Sequence, residues 1–335
     1  MTKIEVSEGS RPSSRKFGAT IGSFVAQYGA IFGLLVLIIA LAVTSPVFLT
    51  IDNLTNISRQ ATVNAFLAIG LMLAIITAGI DLSVGSILAL SMSALAIMAI
   101  KWHVNPYLAM LICLGVGAAV GLINGLLLTR LHLPHPFIST LGTMNIARGI
   151  ALIIMGASPI SGFDRAGAGQ VLFLGAGSIG PVPAALVIVV IVYVLFDILL
   201  RNSSFGRHIY AVGGNANAAR LSGINVEKTL VWVYSLSGLM AGMAALMLAG
   251  RTNSGYPTAG SGAELDAIAA VIIGGASFAG GTGTIWGTAI GVVLIAVLRN
   301  GLVLLKVPTE WQVVAIGLVI IGAVYMDVLR LRARK

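Results

Sequence analysis

The stretch "ATVNAFLAIGLMLAIITAGIDLSVGSILALSMSALAIMAI", Ala61 to Ile100, contains a single charged residue, Asp81, and is interrupted only at "GIDL". Each flank approaches the roughly 20 apolar residues that an α-helix needs to cross a hydrocarbon layer about 30 Å thick. Neither flank alternates with a period of two, so the short strands of a membrane β-barrel are excluded. The same composition runs through the chain. Of 335 residues, 58% are hydrophobic and 9% charged, against about a quarter charged in soluble proteins. The sequence specifies an all-α polytopic membrane protein.

Working outward from the opening stretch, about ten transmembrane helices fit the hydropathy: 24–44, 61–78, 82–100, 106–128, 137–156, 183–200, 230–250, 265–279, 285–305 and 311–329. Residues 1–23, polar and rich in Ser, Lys and Arg, are expected to form a disordered cytoplasmic tail. Residues 24–329 are expected to form one transmembrane domain with a polar cytoplasmic segment at 201–229. Residues 330–335 make a basic tail. The positive-inside rule sets the orientation. With both termini cytoplasmic, thirteen of the twenty Lys and Arg residues fall inside, five outside, and Arg148 and Arg299 within spans. The joints at 79–83 and 280–284 are too short for ordinary loops and predict broken or re-entrant helices.

The net charge of +9 belongs to this orientation pattern, and no nucleic-acid motif accompanies it. Cys113 is alone in an apolar run, which leaves a packed or lipid-facing thiol and neither a disulfide nor a metal site. "GAGSIG", 175–180, matches a dinucleotide fingerprint, but "PVP" follows where a helix should open. No phosphate-binding G-x-x-x-x-G-K-[ST] occurs, so nucleotide hydrolysis is not expected of this chain. No cofactor is expected to bind it.

Small residues recur at fourfold spacing, at Gly117, Gly121 and Gly125, at Gly238 and Gly242, and at Gly283, Gly287 and Gly291. This is the pattern of closely packed membrane helices, or of a pathway that needs room. Ionisable groups in or beside spans carry a cost of several kcal/mol unless paired or wetted. Arg148, Asp81 and Asp266 are such groups. They either line a hydrophilic path or pair, with Arg148 binding one of the carboxylates. Asn124, Thr140, Thr143 and Asn145 add hydrogen-bonding capacity that suits a polyhydroxylated solute or interhelical contacts. In "DLSVGS", Asp81 is suited to cap a helix that starts at membrane depth, with Ser83 in its first turn and Gly79 allowing the turn before it. "GGASFAGGTGTIWG", 274–287, has a similar form in the other half of the chain. In the polar segment, Asn215 is an N-cap candidate, "ANAARLS" a short helix and Gly223 its terminator. So short a helix is marginal alone and must rest on its own bundle or on another protein.

Three stretches, "AGIDLSVGSILAL", "GRHIYAVGGNANAARLSGINV" and "YPTAGSGAELDAIAAVIIGGASFAGGTGTIWGTAIG", resemble the permease subunits of ribose-type (monosaccharide) ABC importers over roughly residues 45–330. Ala78 stands where that family often has a second glycine, a departure expected to matter little. The resemblance implies a multi-pass permease of the bacterial inner membrane. It implies three partners besides lipid: a cytoplasmic ABC ATPase that uses the ATP, a periplasmic sugar-binding protein, and a second permease copy, identical or paralogous. It also implies that the cytoplasmic segment holds the coupling helix, with Asn215, Ala219, Arg220, Leu221, Ser222 and Gly223 at the ATPase contact. Asp81, Ser83, Asn124, Thr140, Asn145, Arg148 and Asp266 are the candidates for the substrate path. Two other readings stay open: an ion-coupled transporter with a proton on Asp81 or Asp266, and an ABC permease for a charged solute such as a branched-chain amino acid.

Overall fold

Six helix starts coincide with side chains that accept a backbone N–H. Thr50, Asn105, Ser203, Asn215, Asn225 and Thr284 each cap a first turn in this way, and proline opens two helices, where its missing donor costs nothing. The computed structural model describes residues 15–131, 133 and 135–333. Its helices are α1 (Arg15–Thr44), α2 (Ile51–Ile76), α3 (Val84–Ala96), α4 (Pro106–Arg130), α5 (Pro136–Met155), α6 (Gly169–Ala176), α7 (Ala184–Asn202), α8 (Ser204–Gly214), α9 (Ala216–Leu221), α10 (Val226–Thr252), α11 (Ala263–Ile273), α12 (Ile285–Leu304) and α13 (Thr309–Ala333). A π-helical turn, Ile97–Lys101, extends α3.

Among the described residues, seven helices are long and apolar enough to span a bilayer: α2, α3 with its π turn, α4, α5, α7, α10 and α12. The apolar parts of α1 and α13, Gly29–Thr44 and Thr309–Tyr325, are shorter. The span expected at 265–279 is corrected. Its helix, α11, has 11 residues, which reach about 16 Å and cannot cross alone. Irregular backbone at 274–284 follows it, because five glycines in that stretch remove the conformational bias towards helix. The tails also differ from expectation. Helix α1 begins at Arg15, within the tail expected to be disordered, and α13 runs to Ala333, through most of the 330–335 tail. Extending an existing helix costs little per residue, and "RKFGATIGS" has no proline and only two separated glycines, Gly18 and Gly22, to oppose it. Residues 1–14 and 334–335 of those tails lie outside the described residues.

Helix α2 is buried from Thr62 to Ile76, and α10 lies beside it at the centre, against α2, α3, α4 and α6. The contact of α4 with α10 is made by glycines. A Cβ on Gly117 would lie 2.4 Å from the Gly238 carbonyl oxygen, and one on Gly121 2.2 Å from that of Tyr234. The fourfold glycine spacing therefore sets a backbone-to-backbone contact here, the packing reading of that motif. Cys113 is buried in the same seam, its thiol 3.7 Å from the Gly242 carbonyl, and is thus the packed thiol rather than a lipid-facing one.

Connections segregate to two ends of the bundle. At one end, residues 160–161 pair antiparallel with 254–255, and 178–179 with 182–183. "GAGSIG" lies here, split between α6 and the second strand pair, with no βαβ unit around it. Arg59, which the expected span 61–78 leaves outside the helix, sits on α2 and donates to the Ser178 hydroxyl at 3.2 Å. At the other end lie α8, α9 and the 274–284 segment.

Candidate functional site

The break between α2 and α3 occupies residues 77–83 and carries a chain of buried polar groups. Asp81 Oδ1 accepts from the Ser83 amide at 3.1 Å and from its hydroxyl, while Oδ2 accepts from Ser237 Oγ at 2.8 Å. Asn124 Nδ2 donates to Ser83 Oγ at 2.7 Å, and Thr143 Oγ1 donates to Asn124 Oδ1. Thr140 Oγ1 donates to the Ile80 carbonyl at 3.1 Å. Asp81, Ser83, Asn124, Thr140 and Ser237 are each 0% exposed. Four of the predicted path residues thus come together, but as a closed clasp tying α10, the break, α4 and α5. A buried network of this kind holds only while its members are satisfied.

Two expectations about this break are corrected. Asp81 is not the N-cap. The capping position belongs to Ser83, and Asp81 folds back on Ser83 in an Asx-type turn two residues before the helix. A short carboxylate side chain reaches the N–H two residues on more easily than that of a helix not yet begun. Nor is Gly79 the residue that bends the chain. Ala78 takes the left-handed conformation, φ +59°, so the departure from glycine at that position carries a backbone cost. Gly79 is required for space, since a Cβ there would stand 2.4 Å from the Tyr234 hydroxyl. That hydroxyl is buried and has no hydrogen-bond partner among the described residues.

Arg148 and Asp266 do not join the clasp, and Arg148 pairs with neither candidate carboxylate. Its Nη1 donates to the carbonyls of Pro257 and Ala259 at 2.8 and 2.7 Å. Asp266 is instead gripped by Arg299 of α12, with Nε at 2.6 Å and Nη2 at 2.8 Å. Proximity in the fold decided this. Asp266 opens α11 against α12, whereas Arg148 faces the 254–262 segment. Asn145 is exposed on α5, its amide donating to Leu141 at 2.9 Å. Asn145 and Arg148 line a cavity of about 180 Å³ with Ser86, Ser261 and Glu264. With Asp81 closed in the clasp and Asp266 in a bidentate pair, neither carboxylate is placed to carry a transported proton.

The polar segment folds as two helices. In α9, Asn215 Oδ1 accepts from the Ala218 amide at 3.0 Å. Gly223, at φ +84°, ends it with the Gly223→Arg220 and Ile224→Ala219 backbone bonds of a Schellman turn. Ala219 is 4% exposed and packs with Val212 and Val226, whereas Leu221 is 91% exposed. Asn215, Arg220, Ser222 and Gly223 are also exposed. The five of them and buried Ala219 thus form one small knob held from below. Helix α8 carries this knob and is seated against both breaks. A Cβ on Gly213 would lie 1.7 Å from the Ile76 carbonyl oxygen and 2.7 Å from the Gly281 amide, which itself donates to Ile76 at 2.8 Å. Tyr210 donates to the Gly283 carbonyl at 2.8 Å.

Several participants were not legible in the sequence. Ser237 and Tyr234 sit on α10, which is apolar around its circumference, so no stripe marks their inward faces. Glu264 and Ser86 gain meaning only where α11 meets α3. The reciprocal amide pair Asn53–Asn300, at 3.0 and 2.8 Å, joins residues 247 positions apart.

Among known proteins, residues 53–324 match the family described as branched-chain amino acid transport system / permease component. The chain is similar to the ribose import permease protein of Escherichia coli K12, 42% identical over 91% of this chain and 94% of the relative. It is also similar to the D-allose transport system permease of the same organism, 41% identical over 94% and 95%, and to its galactose/methyl galactoside import permease, 37% identical over 93% and 97%. No solved structure matches. With the family model spanning most of the chain and these relatives covered nearly end to end, the chain belongs to the branched-chain amino acid transport system / permease component family.

Proposed function

We propose that this chain is the transmembrane permease subunit of an ATP-binding-cassette importer that moves a ribose-like monosaccharide across the bacterial inner membrane by alternating access. The relatives' names supply the solute class: ribose, allose and galactose. The single structural observation that carries the mechanism is the seat of α8. It presses by bare backbone on the end of α2 and on the 274–284 segment while α9 projects away from the bundle. A push on α9 therefore has two intramembrane breaks within reach, which is the geometry of a lever rather than of a surface ornament.

On this reading the exposed face of α9, Asn215, Arg220, Leu221, Ser222 and Gly223, with Ala219 beneath, seats in a separate cytoplasmic ATPase. ATP is consumed there, and this chain binds no cofactor. A periplasmic sugar-binding protein delivers solute at the opposite end, and a second permease copy completes the pathway. The basic residues favour both termini inside and ten membrane passages, with α11 and the 274–284 segment together making the eighth. Asp81, Ser83, Asn124 and Thr140 form the gate that must open, Asn145 and Arg148 line the path, and Asp266 fixes α11 to α12.

Co-purification with the ATPase and binding protein, followed by sugar-stimulated ATP hydrolysis in proteoliposomes, tests the reading. Arg220→Glu should insert and fold normally yet lose ATPase association and uptake. Full coupling in that variant would remove α9 from the interface, and uptake driven by a proton gradient without the ATPase would overturn the ABC reading itself.

A further inference from the structure

The cavity between the first turn of α3, the middle of α5 and the start of α11 differs from the other cavities of the molecule in its walls. Those are lined largely by aliphatic and aromatic groups. Here Ser86, Asn145, Arg148, Ser261 and Glu264 surround it, and Met144 is the one large apolar side chain. A volume of about 180 Å³ is smaller than the roughly 300–1,000 Å³ of sites for drug-sized ligands. It admits one small solute.

The walls hold unspent hydrogen-bonding capacity of both kinds. Arg148 is fixed in place through Nη1 on Pro257 and Ala259, while among the described residues its Nε and Nη2 have no hydrogen-bond partner. The Ser86 hydroxyl, on a residue 3% exposed, likewise has none. Asn145 spends its amide N–H on Leu141 and keeps its carbonyl oxygen. Ser261 donates to Thr258 at 2.9 Å and keeps its acceptor capacity. Glu264 adds a carboxylate, its Oε2 lying over the bare backbone of Gly85. Such a set, with donors and acceptors interleaved and charges that balance, matches hydroxyl groups that donate and accept at once.

We infer that this cavity is a sugar-binding site within the permease, at which a neutral monosaccharide rests between its release by the binding protein and its passage through the Asp81 clasp just before α3. The inference rests on the importer reading above and deepens it. A zwitterionic amino acid would also find Arg148 and Glu264 facing it. An aliphatic side chain, however, would meet a wall of serines and amides with only Met144 to cover it, leaving the polar groups unpaired.

The test avoids Arg148 and Glu264, which also hold the 254–264 segment. Permease, ATPase and binding protein are reconstituted in proteoliposomes, and uptake of radiolabelled D-ribose, D-allose and D-galactose is measured for Ser86→Ala and Asn145→Ala. Each should raise the uptake KM for the transported sugar by roughly three- to tenfold, the value of one lost hydrogen bond. In parallel, Asn145→Cys in the purified permease is titrated with a water-soluble maleimide. The transported sugar should slow labelling at least threefold, and L-leucine should not. If the wild-type complex imports sugar while both alanine variants keep its KM and labelling is unprotected, the site is wrong and the importer reading stands. Protection by L-leucine in place of sugar overturns the polyol assignment. Absence of uptake of all three sugars by the wild-type complex removes the monosaccharide reading, and the inference falls with it.

Discussion

The two breaks in the membrane helices solve the same problem by opposite means. The first, residues 77–83, is short, strained and knotted. It turns through Ala78 at φ +59°, where a side chain costs roughly 1–2 kcal/mol, and it is clasped by hydroxyls and amides from α4, α5 and α10. The second, residues 274–284, turns through Gly275, Gly280, Gly281 and Gly283, all at positive φ without steric cost. It is held by backbone bonds, among them the Gly281 amide to the Ile76 carbonyl at 2.8 Å, by Tyr210 on the Gly283 carbonyl, and by Asp327 of α13, which accepts from Ser277 Oγ at 3.0 Å and from the Phe278 amide at 3.3 Å. One break is fixed by its side chains, the other shaped by its backbone. Both touch α8, so a single lever bears on a stiff joint and on a compliant one.

Removing the lever's seat should have the largest effect. Gly213→Ala places a methyl group where backbone atoms of Ile76 and Gly281 now stand. It should reduce uptake at least tenfold while the protein still reaches the membrane. Gly214→Ala, whose Cβ would meet open space, provides the control and should transport normally. Equal activity of the two variants would show that α8 does not press on the breaks.

The next contrast concerns the clasp. Asp81→Ala strands Ser237 and part of Ser83 in a fully buried site, at roughly 2–4 kcal/mol in total. The thermal unfolding midpoint of the purified permease should fall, less so for Asp81→Asn, which keeps an acceptor oxygen. A melting profile unchanged in both would mean that the first break is not held by its side chains.

The smallest effect has the opposite sign. Ala78→Gly should relieve the left-handed strain and stabilise the protein by about 1 kcal/mol, offset in part by the greater freedom of glycine in the unfolded chain. A lower melting point for Ala78→Gly would locate the strain elsewhere and erase this difference between the two breaks.

Hydropathy alone placed α3 to α5, α7, α10 and α12 to within a few residues, because lipid forces every backbone group of a spanning segment to be satisfied internally. For α2 it placed the end but set the start, Ile51, ten residues late, since the first turns carry Asp52, Asn53, Asn56 and Arg59. It failed on α11, where an apolar run of ordinary length conceals a half-length helix followed by glycines. It also missed α6, eight residues seated by Gly175 against the Met247 carbonyl, since so short an apolar stretch reads as loop. The short helix α9 was legible from Asn215 and Gly223 because caps are local chemistry.

Near neighbours and solvent are therefore enough to read the membrane class, most helix ends, the glycine seams and the polar knob at 215–223 from the residues alone. Which polar group meets which was decided by the tertiary structure. Asp266 found Arg299 rather than Arg148, Asp81 found Ser237, and α8 found both breaks. These partners lie 33, 156 and, from Gly213, more than 60 residues apart. A hydrogen bond forms only within about 3 Å, and no pattern in a largely apolar helix tells which of its hydroxyls will be brought that close to a partner.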